Sequence, residues 1–529
     1  MFPSCGMHDG TFPRMSRRGF SRRLLQTGAA ALTARTGLWA RQAPAILKGT
    51  APSIVNGVMS GDVSDDAAVI WSRTDRPARM VVEWSTTASF SDPKRIVGPV
   101  TGPEAEFTAK TLLSGLPAGQ RIQYRVRFED PDGRHAGEPV PGELVTAPRD
   151  PRDVFFAWSG DTCGQGFGTS PDRRGMKTYA ALRDVRPDFF IHSGDTIYAD
   201  NPIGPGFKFA DGTQWQNLVL EEKSKVAETL AEFRAAHRYN LEDEHVRAFN
   251  AAVPVFAQWD DHEVRNNWYP GQKLLDDPRY REKDVNVLAA RARQAFFDYQ
   301  PVRPSADRVI YRNVPRGPHC ELFFLDLRSY RGANSPNRQT ERNADSAFLG
   351  DTQLAWLKRS MAASRSTWKI ICSDMPLALL VPDGSTNWEA FANGENGAPL
   401  GRELEVADLL RFLKANRIRN VLWLTADVHY AASHHYDPSR AAFTEFDPFW
   451  EFVSGPLHAG TFGPNALDRT FGAEARWNSR PAGAVSSGPY SADQFFGTVR
   501  IDGKSGVATV THLNRDGRRL WSIDLPPAA

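Results

Sequence analysis

Ionisable side chains stand directly after four apolar runs of this sequence. The four groups occupy residues 161–163, 195–198, 260–263 and 427–429, and they hold aspartate, cysteine, tyrosine, glutamate and histidine. Carboxylates are costly to bury at the end of an apolar strand unless they are paired or bind a cation. Carboxylate, imidazole, phenolate and thiolate groups together suit two or more metal ions. The pattern therefore predicts a metal centre.

Each group alone also has a simpler explanation. Asp161 could cap a helix or hold a turn, and the Gly-Asp pair that ends at Asp195 is a common turn dipeptide. Tyr198 could be a core or surface tyrosine, and Cys163 an inert buried thiol. The Asp-Asp-His-Glu run at 260–263 is harder to attribute to packing. Because all four groups follow predicted strands, their joint occurrence favours the metal centre.

The elements that must position these groups alternate between strands and helices from residue 153 onward. Strands are predicted at 154–159, 188–193, 253–259, 321–326, 368–373 and 421–426, and helices at 221–238, 286–299, 351–363 and 403–415. This alternation is typical of an α/β architecture of layered β-sheets flanked by helices. Ligands of such sheets bind outside the carboxyl ends of the strands, so the four groups are expected to converge there.

Residues 51–147 are predicted to form a separate β domain. Short runs at 67–72, 80–84 and 122–128 are rich in branched and aromatic residues and are bounded by turn residues. Leu116-Pro117 together with Tyr124 is similar to the tyrosine corner of sandwich domains. We therefore expect a small, fibronectin-like N-terminal β-sandwich, and a catalytic domain over residues 153–526.

The N-terminus carries most of the positive charge of this 529-residue chain. Residues 1–48 hold eight Arg or Lys and one acid, which leaves 56 basic and 61 acidic residues in the rest. A body with an acidic excess argues against nucleic acid as a partner. The twin-arginine run at 16–22, a mild apolar stretch and an Ala-rich end predict a signal peptide over 1–43 that is read by the twin-arginine export machinery. Periplasmic or secreted localisation follows, without a stable membrane span.

The order of the four groups resembles that of the calcineurin-like metallophosphoesterases, and most closely the alkaline phosphatase D (PhoD-like) family. The resemblance also includes the twin-arginine signal, the Gly-Val-x-Ser-Gly-Asp run at 57–62, the Trp-Asp-Asp-His-Glu-Val run at 259–264 and the Leu-Asp-Leu-Arg run at 325–328. It implies a metallophosphoesterase fold, a ferric ion, Fe(3+), with Ca(2+), and hydrolysis of phosphate esters at alkaline pH.

The resemblance also implies roles for individual residues. The metal ligands that it implies are Asp161, Cys163, Asp195, Tyr198, Asp261, Asn267, Asp427 and His429. Asp261 and Asn267 are expected at calcium, and Cys163 as a thiolate on iron. This chain has Asp161-Thr162-Cys163 where the family pattern has Ser-Cys directly after the strand, so the Cys163 role has less support.

The mechanism expected from this site is attack on phosphorus by water activated on metal. Asp195 is expected to bridge two metal ions. His262 is expected to protonate the leaving oxygen or to hold the phosphoryl group, and Arg328 to hold the phosphoryl oxygens. Arg328 could instead be a structural partner of Asp326.

Two other functions remain open from the sequence. The Gly-Asp-Thr-Ile-Tyr-Ala-Asp-Asn-Pro run at 194–202 resembles a metal-dependent phospholipase D-like branch of the family, which would act on phospholipid head groups. The alternative outside enzymes is a secreted metal-binding module without catalysis. The expected substrate is thus a small phosphate ester or a phospholipid.

Overall fold

The computed structural model of the chain describes residues 51–209, 212–303, 305 and 307–528. The predicted signal peptide at 1–43 lies outside these residues. Within them, no helix has both the length and the apolar character that a membrane crossing requires.

The N-terminal region consists of short antiparallel strands. They are β1 (Ile54–Gly61), β2 (Ala67–Thr74), β3 (Ala78–Ser85), β4 (Lys94–Thr101), β5 (Thr108–Ser114), β6 (Arg121–Glu129) and β7 (Val140–Val145). One sheet has the order β4-β3-β6-β7, and β1, β2 and β5 pair in a second sheet that faces it. The predicted N-terminal sandwich is confirmed in this arrangement.

Strands and helices alternate over the rest of the chain. The elements are β8 (Val154–Ser159), α1 (Lys177–Val185), β9 (Phe189–Ser193), β10 (Gly206–Lys208), β11 (Gln214–Gln216), α2 (Leu230–Asn240), α3 (Glu244–Ala252), β12 (Val255–Gln258), α4 (Val285–Tyr299), β13 (Arg312–Pro315), β14 (Cys320–Phe324), α5 (Gly350–Ala363), β15 (Trp368–Cys372), β16 (Pro382–Asp383), β17 (Asn387–Trp388), α6 (Glu403–Ala415), β18 (Val421–Thr425), β19 (Ala432–Tyr436), β20 (Phe449–Val453), β21 (Ala473–Asn478), β22 (Phe495–Ile501), β23 (Ala508–Asn514) and β24 (Arg519–Leu525).

Two large sheets form the centre of the fold. One has the order β24-β23-β22-β8-β9-β12-β1-β2-β5 and the other β13-β14-β15-β18-β20-β19-β21. Side chains alternate between faces along each strand, so Trp158 and Leu322 enter the core between the sheets, whereas Ala157 and Phe323 face helices. Helices α1 to α4 cover the first sheet, and α5 and α6 cover the second. The layered α/β prediction is confirmed.

The N-terminal sandwich shares a sheet with the region that begins at residue 153. β1 pairs in parallel with β12, with Gly61 opposite Val255. A Cβ atom at Gly61 would lie 2.4 Å from the Val255 carbonyl oxygen, so this close approach requires glycine. One continuous apolar core therefore joins the expected regions 51–147 and 153–526.

One local expectation is corrected. The predicted helix over 221–238 is a short 3-10 turn at Glu221–Lys223, and α2 begins only at Leu230, because Thr229 and Glu232 cap its N-terminus reciprocally. The C-terminal region holds the three strands β22, β23 and β24. Cys320 and Cys372 are both free thiols, although they lie in neighbouring strands.

The register of β14 and β15 explains the free thiols. Cys320 lies opposite Trp368, and Cys372 lies opposite Phe324. An offset of four residues along neighbouring strands amounts to about 13 Å at ~3.3 Å per residue, and a disulfide needs Cα atoms within about 7 Å.

Parallel pairing brings the predicted site groups to one rim. β8, β9 and β12 run parallel in the first sheet, and β14, β15, β18 and β20 run parallel in the second. An aspartate stands two residues beyond the last residue of six of these strands, namely Asp161, Asp195, Asp260, Asp326, Asp374 and Asp427. The carboxylates therefore gather where the two sheets end.

Candidate metal centre

Sharp backbone turns direct the carboxylates inward. Asp161, Asp195 and Asp427 all have left-handed backbone conformations, with φ of 68°, 50° and 68°. Such conformations cost about 1–3 kcal/mol each for residues other than glycine, although aspartate tolerates them better than most. Strain repeated at three strand ends is typical of a functional site.

Three groups of side chains place their ligand atoms within 4.8 Å of one another. The groups are Asp161 with Asp195 and His429, Asp195 with Asp261 and His262, and Asp260 with Asp261 and Asp427. Asp195 belongs to the first two groups, and Asp261 to the last two. Shared carboxylates suit a centre with more than one metal ion.

Unsatisfied oxygen atoms support a cation at this place. Asp161 Oδ2, Asp260 Oδ2 and Asp261 Oδ1 are buried and have no hydrogen-bond partner. Burial, with the neighbouring carboxylates, raises the pKa of Asp161, Asp195 and Asp427 well above the ordinary value. Buried polar atoms are normally paired, so these residues fit metal ions that take oxygen and nitrogen ligands.

Glu263 ties the turns after β9 and β12 together. Its carboxylate accepts hydrogen bonds from the backbone N–H groups of Asp195 at 3.1 Å, Thr196 at 2.6 Å and Asp260 at 2.8 Å. In addition, the N–H of His262 donates to Asp195 Oδ1 at 3.1 Å. The last acid of the Asp-Asp-His-Glu run thus orients the ligand loops.

Tyr198 and His429 meet on one side of the centre. The Tyr198 hydroxyl lies 2.7 Å from His429 Nε2, and His429 Nδ1 lies 2.5 Å from the carbonyl oxygen of Gly460. Since a carbonyl only accepts, Nδ1 carries the proton, and Nε2 is left with its lone pair towards the centre. Burial lowers the pKa of His429 to about 3, so the ring stays neutral, as a metal ligand must be.

His262 occupies the open side of the centre. Its Nδ1 lies 2.6 Å from Asp200 Oδ1, and its ring packs on Tyr198 with centroids 4.2 Å apart. Burial opposes the charged form, but Asp200 and Asp261 outweigh it and raise the pKa of His262 to about 9. Burial likewise opposes the charged form of Asp200, yet His262 lowers the pKa of that carboxyl to about 2. The pair holds a proton at a fixed position.

Arg328 lies behind the carboxylates rather than at the surface. Its guanidinium is fully buried, bonds Asp260 Oδ1 from Nε at 2.6 Å, pairs with Glu389, and lies 3.6 Å from Asp374. Asp326 instead accepts from the backbone N–H of Arg328 at 3.1 Å. The guanidinium therefore supplies a positive charge inside the carboxylate cluster.

Cys163 and Asn267 stand at the edges of this arrangement. Cys163 is buried in the apolar core beside α1, burial raises its pKa, and it belongs to none of the ligand groups found in the part of the chain that the structure describes. The backbone N–H of Asn267 donates to Asp261 Oδ2 at 2.5 Å, so this residue adjoins the centre.

Sequence reasoning missed several residues that hold the centre together, namely Asp200, Asp260, Glu263, Asp374 and Glu389. Asp260 and Glu263 belong to the run already singled out, and Asp374 follows β15 at the same distance as the other aspartates follow their strands. That repeated spacing could have identified Asp374. No local pattern marks Glu389.

Known proteins similar to this chain are phosphatases. The family model described as PhoD-like phosphatase matches residues 156–512, and the model of the PhoD-like phosphatase N-terminal domain matches residues 38–148. Alkaline phosphatase D of Bacillus subtilis (strain 168) is 26% identical over 440 residues, which cover 78% of this chain and 70% of that protein.

Two solved structures share the fold. A structure of PhoD matches with a TM-score of 0.66 and 18% identity, over 89% of this chain and 90% of that chain. A purple acid phosphatase from yellow lupin seeds matches with a TM-score of 0.54 and 12% identity, over 90% of this chain and 74% of that chain. The metallophosphoesterase fold expected from the sequence is confirmed.

Replacing Asp195 by asparagine should affect the metal-free and metal-loaded proteins in opposite directions. Without metal, Asp195→Asn removes one of several mutually repelling buried carboxylates, so the free energy of unfolding should rise by about 1–2 kcal/mol. With metal, the variant should be less stable than the parent because a shared ligand is lost. Chemical unfolding with and without EDTA measures both.

Asp184→Asn is the matched control, since Asp184 is exposed and pairs only with Arg183 at 3.7 Å. It should change the free energy of unfolding by no more than about 0.5 kcal/mol, both without and with metal. A metal-free Asp195→Asn protein that is less stable than the parent would contradict the repulsion argument.

Proposed function

The chain belongs to the PhoD-like phosphatase family, whose model spans residues 156–512, and from this premise we propose how its residues carry out the reaction. It is a metal-dependent phosphoric ester hydrolase, an alkaline phosphatase or phosphodiesterase. The observation that carries the proposal is the sharing of Asp195 between two groups of ligand atoms.

The proposed ligands are taken from the groups of neighbouring atoms, together with Tyr198 beside His429 and Asn267 beside Asp261. Fe(3+) is assigned to the side with the phenol and the neutral imidazole, and Ca(2+) to the oxygen-rich side. Asp161, Asp195, Tyr198 and His429 would hold iron, and Asp195, Asp261, Asn267 and Asp427 would hold calcium. When bound, the metal ions supply Lewis-acid polarisation of the phosphate and lower the pKa of water. Cys163 as an iron ligand stays a prediction.

His262 is the proposed proton donor to the leaving oxygen. It combines three properties: a raised pKa, an Nδ1 held by Asp200, and a side chain that is 12% exposed beside the carboxylates. With Nδ1 fixed at Asp200, the proton on Nε2 faces the centre and is free to move to an alkoxide.

Arg328 is proposed to act on the carboxylates and not on the substrate. The support is that the guanidinium is fully buried and pairs with Asp260 and Glu389, which sets it behind the carboxylates. It holds the turn after β12 in place and offsets its negative charge. Of the two roles expected from the sequence, this is the structural one, with Asp260 and Glu389 as the side-chain partners in place of Asp326.

The residues at 1–43 are proposed to direct export of the folded protein by the twin-arginine route. The support is the Arg17-Arg18 pair with the apolar and Ala-rich stretches that follow it. Cell fractionation should find the protein in the periplasm or the medium, and the Arg17→Lys/Arg18→Lys double variant retained in the cytoplasm. Export of the double variant at the parent's level would contradict the route.

Substitution of His262 should lower turnover without removing metal. General acid catalysis contributes about 10²–10⁴-fold, so His262→Asn should lower kcat on a poorly leaving alkyl phosphate by that range. The loss should be smaller on p-nitrophenyl phosphate, whose leaving group needs no proton. Steady-state kinetics on both substrates measure the difference, and His135→Asn on the exposed sandwich loop is the control. Equal losses on the two substrates would exclude the proton-donor role.

The substrate class is tested with p-nitrophenyl phosphate, bis-p-nitrophenyl phosphate and phosphatidylcholine, on protein purified without chelators and analysed for metals. We expect iron and calcium, and monoester hydrolysis that Asp195→Ala abolishes. Diester or lipid cleavage with little monoester activity would favour the phospholipase D-like alternative with the same ligands. Absence of both transition metal and turnover would favour the non-catalytic metal-binding module.

A further inference from the structure

A short hairpin stands at the rim of the centre. Its strands β16 and β17 pair with Pro382 opposite Trp388 and Asp383 opposite Asn387. Two backbone hydrogen bonds of 2.9 Å fix its base. The N–H of Trp388 donates to the Ser335 carbonyl oxygen, and the N–H of Glu389 donates to the Val381 carbonyl oxygen. The side chain of Asp383 is therefore presented from a defined position.

Asp383 accepts hydrogen bonds from two asparagine amides. Its Oδ1 lies 3.0 Å from Asn267 Nδ2, and its Oδ2 lies 2.9 Å from Asn334 Nδ2. An ionised carboxylate only accepts, so each amide must turn its nitrogen towards Asp383. The carbonyl oxygen of the Asn267 amide is thereby directed away from the hairpin.

Buried arginines fix the second amide independently. Asn334 Oδ1 accepts from Arg331 at 2.5 Å and from Arg402 at 3.0 Å, and both guanidinium groups are buried. Because guanidinium groups only donate, the Asn334 amide has a single orientation, with Nδ2 towards Asp383 and towards the backbone carbonyl oxygen of Asn267 at 3.1 Å. A chain of oriented hydrogen bonds thus runs from the core to the rim.

The backbone of Asn267 is fixed as well. Its φ is 57°, and its N–H donates to Asp261 Oδ2 at 2.5 Å. Asp261 Oδ1 has no hydrogen-bond partner, and the Asp261 carboxylate supplies a ligand atom to two of the groups. Asn267 is thus held at both its backbone and its amide nitrogen.

The hairpin also reaches the other end of the same loop. Glu389 directly follows β17 and pairs with Arg328, which in turn bonds Asp260. One rim segment is therefore linked to the loop of residues 260–267 at both ends, through Arg328 at Asp260 and directly through Asp383 at Asn267.

We propose that Asp383 is a positioning residue, which fixes the Asn267 amide so that its carbonyl oxygen serves a cation bound at Asp261. The inference rests on the proposed function, in which Asn267 is a calcium ligand. Partners that orient metal ligands typically change metal affinity by about 10–100-fold when they are replaced.

The first test is calcium binding to the full exported protein after chelator treatment, measured by titration calorimetry. In Asp383→Asn, the new side chain has one oxygen that accepts and one nitrogen that donates. Both neighbouring amides present their nitrogen to it, so one of them must turn or lose its hydrogen bond. Calcium affinity should fall by about 10-fold. Thr386→Ala on the same hairpin, where the hydroxyl reaches only Asn387 Oδ1 at 3.4 Å, should bind as the parent does. Circular dichroism confirms that both variants fold.

The second test reverses the polarity of the bond. In Asn267→Asp/Asp383→Asn, the new amide at 383 accepts from Asn334 and donates to the new carboxylate at 267, which keeps an oxygen for the cation. The double variant should regain most of the affinity that Asp383→Asn loses. A role in folding alone predicts no such recovery.

The outcomes separate this inference from the proposed function. If the parent binds calcium and hydrolyses esters while Asp383→Asn binds calcium within twofold of the parent, the positioning role is overturned and the function stands. A double variant that binds no better than Asp383→Asn also overturns it. A parent that neither binds calcium nor hydrolyses any ester overturns both.

Discussion

The structure depends on keeping several buried carboxylates at one place. The ligand atoms of Asp161, Asp195, Asp260, Asp261 and Asp427 fall into groups whose members lie within 4.8 Å of one another. Two like charges about 4 Å apart repel by about 4 kcal/mol at an effective dielectric constant of ~20. Arg328 and His262 supply only part of the compensating charge. Metal ions provide the rest, and this requirement links the fold to the chemistry.

The fold meets this requirement by placing rigid elements behind each carboxylate. Two face-to-face sheets end at the same rim, so the ligands come from strand ends that are themselves packed in the core. Glu263 and Arg328 then bind the connecting turns to one another, because both are buried and reach across more than 60 residues of sequence. Repelling charges can be held together here since the surrounding backbone cannot easily separate them.

The parts of this site that could be predicted from sequence are those fixed by local pattern. An apolar run followed by glycine or alanine and then aspartate indicates both a strand and the residue at its end, so Asp161, Asp195 and Asp427 were recognisable without a structure. Hydrogen-bond partners that are set by loop packing could not be recognised in this way. Arg328 lies 68 residues from Asp260 and 61 from Glu389, and nothing in its neighbourhood determines which carboxylate it meets.

The sequence does not predict that the N-terminal sandwich shares a sheet with the rest of the chain, for a related reason. Alternating residues in β1 specify a strand with a buried face, but the partner at its edge depends on how closely two backbones approach. Gly61 permits that approach to β12, and a lone glycine in a strand indicates a bulge as readily as a contact. The consequence is that β1 extends the same sheet that supplies Asp161, Asp195 and Asp260.

The side chains of the centre and those at its rim differ in how deeply they are buried. Among the grouped ligands, the side chains of His262 and Asp427 are 12% and 11% exposed, whereas those of Asp161, Asp261 and His429 are at most 4% exposed. A phosphoryl group is small enough to reach such a centre, and the rest of an ester must stay outside it. The ligands are therefore placed to act on the phosphoryl group, and the rest of an ester must meet the segments around them. Motifs shared by monoesterases and diesterases are the expected result, because selection between those substrates acts on residues that touch the leaving group and not the metal.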